Sequence, residues 1–219
     1  MTDWFTDEIF GGVSGATDVI FPVSRLVVDP ERFEHDDDEP MSKQGMGVIY
    51  ELTSNQGPLR LKPNAAERSL LIDSYYRPHH RLLTDMTKQA ITEYGNCLII
   101  DGHSFPRLPL PYESDHSLER PEICIGTDDY HTPDNLRDEA VALFEKAGFT
   151  VAVNSPFAGA LVPLDYYRSD KRVMGLMIEV RRDLYIDETT AEKLPEFDGV
   201  RDKIKGVISQ VIDVAEDIL

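Results

Sequence analysis

The stretch Asp101-Gly-His103-Ser-Phe-Pro106 follows the apolar run Cys97-Leu-Ile-Ile100. That run predicts a buried strand, so an Asp and a His stand where a strand ends and a loop with Gly and Pro begins. The carboxyl end of a sheet is where α/β proteins build ligand and catalytic sites. An imidazole fixed there can ligate a metal or move a proton, with Asp101 as the carboxylate that orients it. A His in such a loop can equally cap backbone groups, and the residues by themselves leave both uses open.

Three further groups could join it. Glu179 lies near the end of the apolar run Val173–Val180. Burying a carboxylate there is unfavourable unless it is paired, and burial raises its pKa toward the range of a general base. Arg181 or Arg182 could instead hold it in a buried ion pair. Asp3 and Asp7 are four apart on a predicted first helix, hence on one face. They suit a metal ion, or simply the positive end of the helix dipole. Arg25, Asp29 and Arg32 cluster at the end of another apolar run. Paired arginines there suit bidentate capture of a carboxylate, or salt bridges to the acidic loop that follows.

The remaining candidates are weaker. Asn154 follows a predicted strand and either lines the crevice or closes a turn. His79 and His80 point about 100° apart on a helix and cannot serve one site equally. His131 is expected in a loop, and His35 and His116 in solvated loops. Cys97 and Cys124 sit inside apolar runs, as small buried hydrophobes in a reducing cytoplasm. No phosphate loop, nucleophile elbow or paired-Cys zinc motif occurs, so serine nucleophilic catalysis has no support.

These side chains must be positioned by the rest of the chain. Its 219 residues are 41% hydrophobic and 28% charged, the balance of a globular protein. The net charge of −18 provides no basic stripe, which argues against nucleic acid and anionic membranes as partners. No apolar run is long enough for a membrane span, and no signal peptide is visible. Thr2–Phe10 predicts a helix capped by Thr2 and ended by Gly11-Gly12. Val19–Phe21, Arg25–Val28 and Gly45–Leu52 predict short strands. A capping-box pattern at Asn64–Glu67 opens a long helix to Tyr94, interrupted by Pro78 and closed by Gly95. Strands at Glu122–Ile125, Phe149–Val153 and Val173–Val180 alternate with a helix starting at Thr132-Pro133. An amphipathic helix, Phe197–Leu219, completes the chain. The alternation predicts an α/β three-layer sandwich with a mixed central sheet.

Taken in order, Thr2-Asp-Trp-Phe-Thr-Asp-Glu-Ile-Phe10, Pro22–Phe33, Glu39–Tyr50, Tyr75–His80, Asp101–Pro106, Arg120–His131, Asn154–Pro163 and Met177–Tyr185 resemble the N-formylglutamate amidohydrolase family. That family is similar in fold to zinc carboxypeptidases and aspartoacylases. The resemblance implies zinc-dependent hydrolysis of N-formyl-L-glutamate to formate and L-glutamate, a late step of histidine breakdown, in the cytoplasm. It implies His103 and Asp3, or Asp7, as metal ligands and Glu179 as general base and acid. Arg32, Arg25 and Asn154 would bind a small acidic N-acyl amino acid. Asp29-Pro-Glu-Arg32-Phe33 resembles the Asp-x-Asn-Arg-x-Phe motif of aspartoacylases. Family members also carry a Pro-His motif, a further zinc ligand, before the Thr-Asp-Trp segment. The expectation is therefore one domain over residues 1–219, truncated at its N-terminus. The alternatives are a non-catalytic remnant that binds a small acidic ligand, or a hydrolase of another N-acyl amino acid. Oligomeric state is left open.

Overall fold

The structure, a computed structural model, describes residues 2–113 and 115–218. The chain divides into two compact units. One comprises Met1–Thr2, Val19–Met86 and Pro109–His116, the other Asp3–Asp18, Thr87–Leu108 and Ser117–Leu219.

The second unit is built on a four-stranded sheet of β1 (Cys97–Phe105), β2 (Ile123–Gly126), β3 (Val151–Val153) and β4 (Val173–Arg181), in the order β1-β4-β2-β3. β1 runs parallel to β4, β4 antiparallel to β2, and β2 parallel to β3. This is the mixed α/β sheet expected, with the apolar Val173–Arg181 run as an internal strand.

Strand alternation assigns each face a different task. Leu98, Ile100, Met174, Leu176, Ile178, Val180, Ile123 and Ile125 join one core with the helices α1 (Thr6–Phe10), α4 (Asp134–Lys146) and α5 (Phe197–Asp217). α5 buries Ile204, Val207, Ile208, Val211 and Ala215. Their three- and four-residue spacing is the apolar stripe of a core-facing helix, each large side chain contributing about 1.5–3 kcal/mol. Asp101, His103, Glu179 and Cys124 alternate onto the opposite face.

Two expectations are corrected in this unit. β1 does not end at Asp101 but continues to Phe105, because Asp101–Phe105 pair in register with Met177–Arg181. The glycine that suggested a loop is required for packing: a Cβ on Gly102 would lie 2.6 Å from Cγ of Phe10, whose ring covers that position from α1. The first helix begins at Thr6 rather than at Thr2. Phe5 precedes it with φ 61, and the Thr6 hydroxyl donates to the carbonyl of Asp3. Asp3 and Asp7 therefore do not share a helix face.

In the first unit, Val28, Val48, Ile49, Ile72 and Tyr76 form a small core. The strands expected at 19–21, 25–28 and 45–52 are absent. Their backbone bonds are scattered, such as Asp29 N–H to the Val48 carbonyl (2.8 Å), and Gly45 in the left-handed region turns the chain instead. The 3-10 turn Pro40–Gln44 immediately precedes the last of these segments and ends at Gly45. The capping box is present: Asn64 accepts from Ala66 and Glu67 N–H while Glu67 caps the Asn64 N–H, opening α2 (Ala65–Leu71). A π-helical turn, Ile72–Tyr76, joins it to α3 (Arg77–Tyr94). Pro78 explains the wide turn, since its ring crowds the carbonyl four residues back and it has no N–H to offer.

Candidate active site

β1 lies at one edge of the sheet, so alternate backbone N–H groups face away from β4. The segment before α1 meets that edge. Ser104 donates to Asp3 Oδ1 from its backbone N–H (3.0 Å) and from its hydroxyl (3.1 Å). The other oxygen, Asp3 Oδ2, then lies 3.5 Å from His103 Nδ1. On the far side of the ring, Asp101 Oδ1 lies 2.8 Å from Nε2, and Asp101 Oδ2 accepts from Leu161 N–H at 3.2 Å. The imidazole is thus flanked by two carboxylates, with His103 14% exposed and Asp101 10%.

Glu179, 8% exposed, is the register partner of His103 on β4. Its antiparallel neighbour is Cys124 on β2. The Cys124 thiol donates to the Phe157 carbonyl at 3.2 Å, and burial pushes its pKa up to about 11. Cys124 is a neutral wall beside Glu179, not a nucleophile. Arg181 turns to Asp183 at 2.6 Å, and Arg182 turns to Ser104 and Asp3. The two arginines that follow Glu179 in sequence are engaged elsewhere.

The donor chemistry suits a divalent ion. Two donor atoms each at zinc-ligand distance from a tetrahedral ion stand roughly 3.3 Å apart. Asp3 Oδ2 and His103 Nδ1, 3.5 Å apart, match that spacing. The 2.8 Å approach of Asp101 to Nε2 is instead a hydrogen-bond distance, which would suit a carboxylate that orients the imidazole. Asp7, the alternative to Asp3, is exposed in the first turn of α1.

Other expected residues have different surroundings. Asn154, with φ 54, accepts from Thr127 N–H (2.9 Å) and donates to the Thr127 hydroxyl (2.8 Å), tying the end of β3 to the end of the neighbouring β2. His131 is buried, its Nδ1 donating to the Val173 carbonyl (2.7 Å) and its Nε2 accepting from Arg168 N–H (2.8 Å). Sequence reasoning missed Ser104 as an anchor. Its one signal is that it follows His103 on a strand whose edge must be capped.

The first unit holds the arginine cluster. Asp29, fully buried, accepts from the Tyr50 hydroxyl and from Glu31 N–H (3.0 Å), and faces Arg32 Nε at 3.5 Å. Burial, together with the negative charge of Asp29, drives the Tyr50 phenol well above its usual range, while Arg32 and Arg25 pull it down. Arg32 is therefore held beside one buried carboxylate–phenol pair, and the charge of Arg25 reaches the same phenol. Arg68 and Arg77 pair with the acidic loop, at Asp36 and Glu34. His79 packs edge-on to Phe21 and His80 lies 2.9 Å from the Pro30 carbonyl.

A mixed sheet with helices on one face and a His flanked by carboxylates on the other defines an α/β protein with a His–carboxylate cluster. The chain belongs to the N-formylglutamate amidohydrolase family, whose model matches residues 1–186. A crystal structure of N-formylglutamate amidohydrolase from Ralstonia eutropha JMP134 is similar in fold, with TM-score 0.73 and 24% identity, covering 89% of this chain and 76% of that one. A gene product from Agrobacterium tumefaciens is also similar, with TM-score 0.57 and 23% identity, covering 88% of this chain and 67% of that one. No curated protein matches the chain by sequence. Among the described residues, no helix is long and apolar enough to cross a membrane.

Proposed function

We propose that the chain hydrolyses N-formyl-L-glutamate to formate and L-glutamate with the help of one zinc ion. Family membership supports the reaction class. The observation that carries the site assignment is the register pairing of Glu179 with His103, whose ring is flanked by Asp3 and Asp101.

His103 and Asp3 would hold the ion, and Asp101 fixes the imidazole that ligates it. A bound zinc would supply Lewis acidity toward the formyl oxygen and ease deprotonation of water. Glu179 takes the proton of the attacking water and delivers it to the amide nitrogen as that bond breaks. Its partner strands favour this work. The neutral Cys124 adds no competing charge on one side, and the strand carrying His103 lies one sheet spacing away on the other. Arg32 and Arg25 would serve as carboxylate-binding groups, with Asp29 facing the Nε edge of Arg32.

The test is formate release from N-formyl-L-glutamate by the purified protein after treatment with chelator and after addition of zinc. Release restored by zinc is the expected result. Absence of formate from the zinc-supplemented protein would sink the reading. A panel of N-acetyl and N-formyl amino acids measures the preference for the formyl and glutamyl parts.

A further inference from the structure

The Asp3 carboxylate does not reach His103 by its own conformational preference. Asp3 lies outside α1, in a segment with no secondary structure of its own. What holds it is a relay that starts on the 3-10 turn Arg182–Leu184 after β4. Arg182 Nε donates to the Ser104 hydroxyl (3.0 Å), and Arg182 Nη2 donates to the Ser104 carbonyl (2.8 Å). The same Nη2 stands 3.7 Å from Asp3 Oδ1.

The direction of this relay is forced. A guanidinium can only donate and an ionised carboxylate can only accept. The Ser104 hydroxyl must therefore accept from Arg182 and donate to Asp3. Asp3 Oδ1 is taken by two Ser104 donors, with a cation behind them, which leaves Oδ2 as the oxygen turned to His103. Ser104 is 4% exposed and the Arg182 side chain 11%, so little water competes. Tyr185, in the same turn region, donates to the Trp4 carbonyl at 2.9 Å and pins the residue beside Asp3.

We infer that Arg182 is a positioning residue: acting through Ser104, it sets which oxygen of Asp3 faces His103 and so prepares the ligand pair. This rests on the assignment of His103 and Asp3 as metal ligands. It adds a cation to the site, outside the ligand set and outside the acid–base residue.

The experiment uses the full chain and two readouts. One is the ring 15N chemical shifts of His103 in metal-free protein, and the other is zinc affinity by competition with a chromophoric chelator. Arg182→Met is expected to move the His103 shifts in the direction that Asp3→Asn moves them, and to weaken zinc by about 10-fold or more. Arg182→Lys, which keeps the charge but loses the fork, is expected to restore part of both. Ser104→Ala is expected to act like Arg182→Met and decides the matter if the latter fails to fold. Val211→Ala, buried in α5 away from the site, serves as a control for stability loss and is expected to leave both readouts unchanged. His103 shifts that stay at wild-type values in Arg182→Met and Ser104→Ala, while Asp3→Asn moves them, would overturn the inference. A wild-type protein that binds no zinc would overturn the proposed function instead, with the metal-free shifts still deciding the role of Arg182.

Discussion

His103 on β1 and Glu179 on β4 are register partners in a parallel ladder, so their side chains rise from the same face of the sheet on adjacent strands. They are far apart in sequence, and the pairing makes them neighbours without a loop having to fold around either. The proposed acid–base group and the candidate ligand are thus mounted on adjacent paired strands of the second unit.

Replacing Glu179 by Gln keeps the size of the side chain and removes its basicity. The expected result is a fall in kcat of about 10²–10⁴-fold, the usual contribution of a positioned acid–base group. KM and zinc affinity are expected to stay near wild type. Steady-state formate release and chelator competition measure the three quantities. A variant with wild-type kcat would remove Glu179 from the mechanism.

Asp101→Asn tests the orienting carboxylate. Asp101 meets His103 Nε2 at 2.8 Å on one side and Leu161 N–H on the other. The amide retains the shape and loses the charge that holds the ring. Zinc affinity is expected to drop about 10–100-fold, while Asp7→Asn, in the exposed first turn of α1, leaves it unchanged. Equal effects of the two substitutions would show a general charge effect rather than orientation.

Gly102→Ala tests the packing of α1 on β1. The new methyl would lie 2.6 Å from Phe10 Cγ, well inside contact distance. Something must move, at an expected cost of about 1–3 kcal/mol, read from urea denaturation. Phe10→Leu in the same protein vacates part of the ring volume and is expected to recover some of the loss. Additive losses in the double variant would place the strain elsewhere.

The pH dependence of stability has an identifiable contributor in His79. Burial, with a smaller effect of His80, lowers its pKa from 6.5 to about 4. The folded protein therefore keeps this imidazole neutral while the unfolded chain protonates it near pH 6.5. Between these values the unfolded state binds more protons, so stability is lost as pH falls from about 6.5 toward about 4. His79→Leu is expected to flatten that part of a urea-midpoint profile. A profile equally steep without the imidazole would assign the slope to other groups.

The sequence alone determined the elements whose signals are local. The capping box at Asn64, the apolar strand Val173–Arg181 and the three- and four-residue apolar spacing of α5 all appear where residue pattern places them, because caps and burial periodicity depend on neighbours a few residues away. The motif order likewise pointed to the family that matches residues 1–186. Tertiary structure decided the rest. The Asp101-Gly-His103 stretch looked like a loop because a glycine and two polar residues are poor strand formers in isolation. Pairing with β4 and the ring of Phe10 over Gly102 make it strand. The short strands expected before residue 62 failed for the converse reason, since β-rich residues without a partner ladder form none. Tertiary structure also chose between Asp3 and Asp7 for proximity to His103. Only docking on the free edge of β1, through Ser104 and Arg182, turns one of two similar aspartates toward the imidazole. A contact between residues a hundred positions apart has no signature in local spacing.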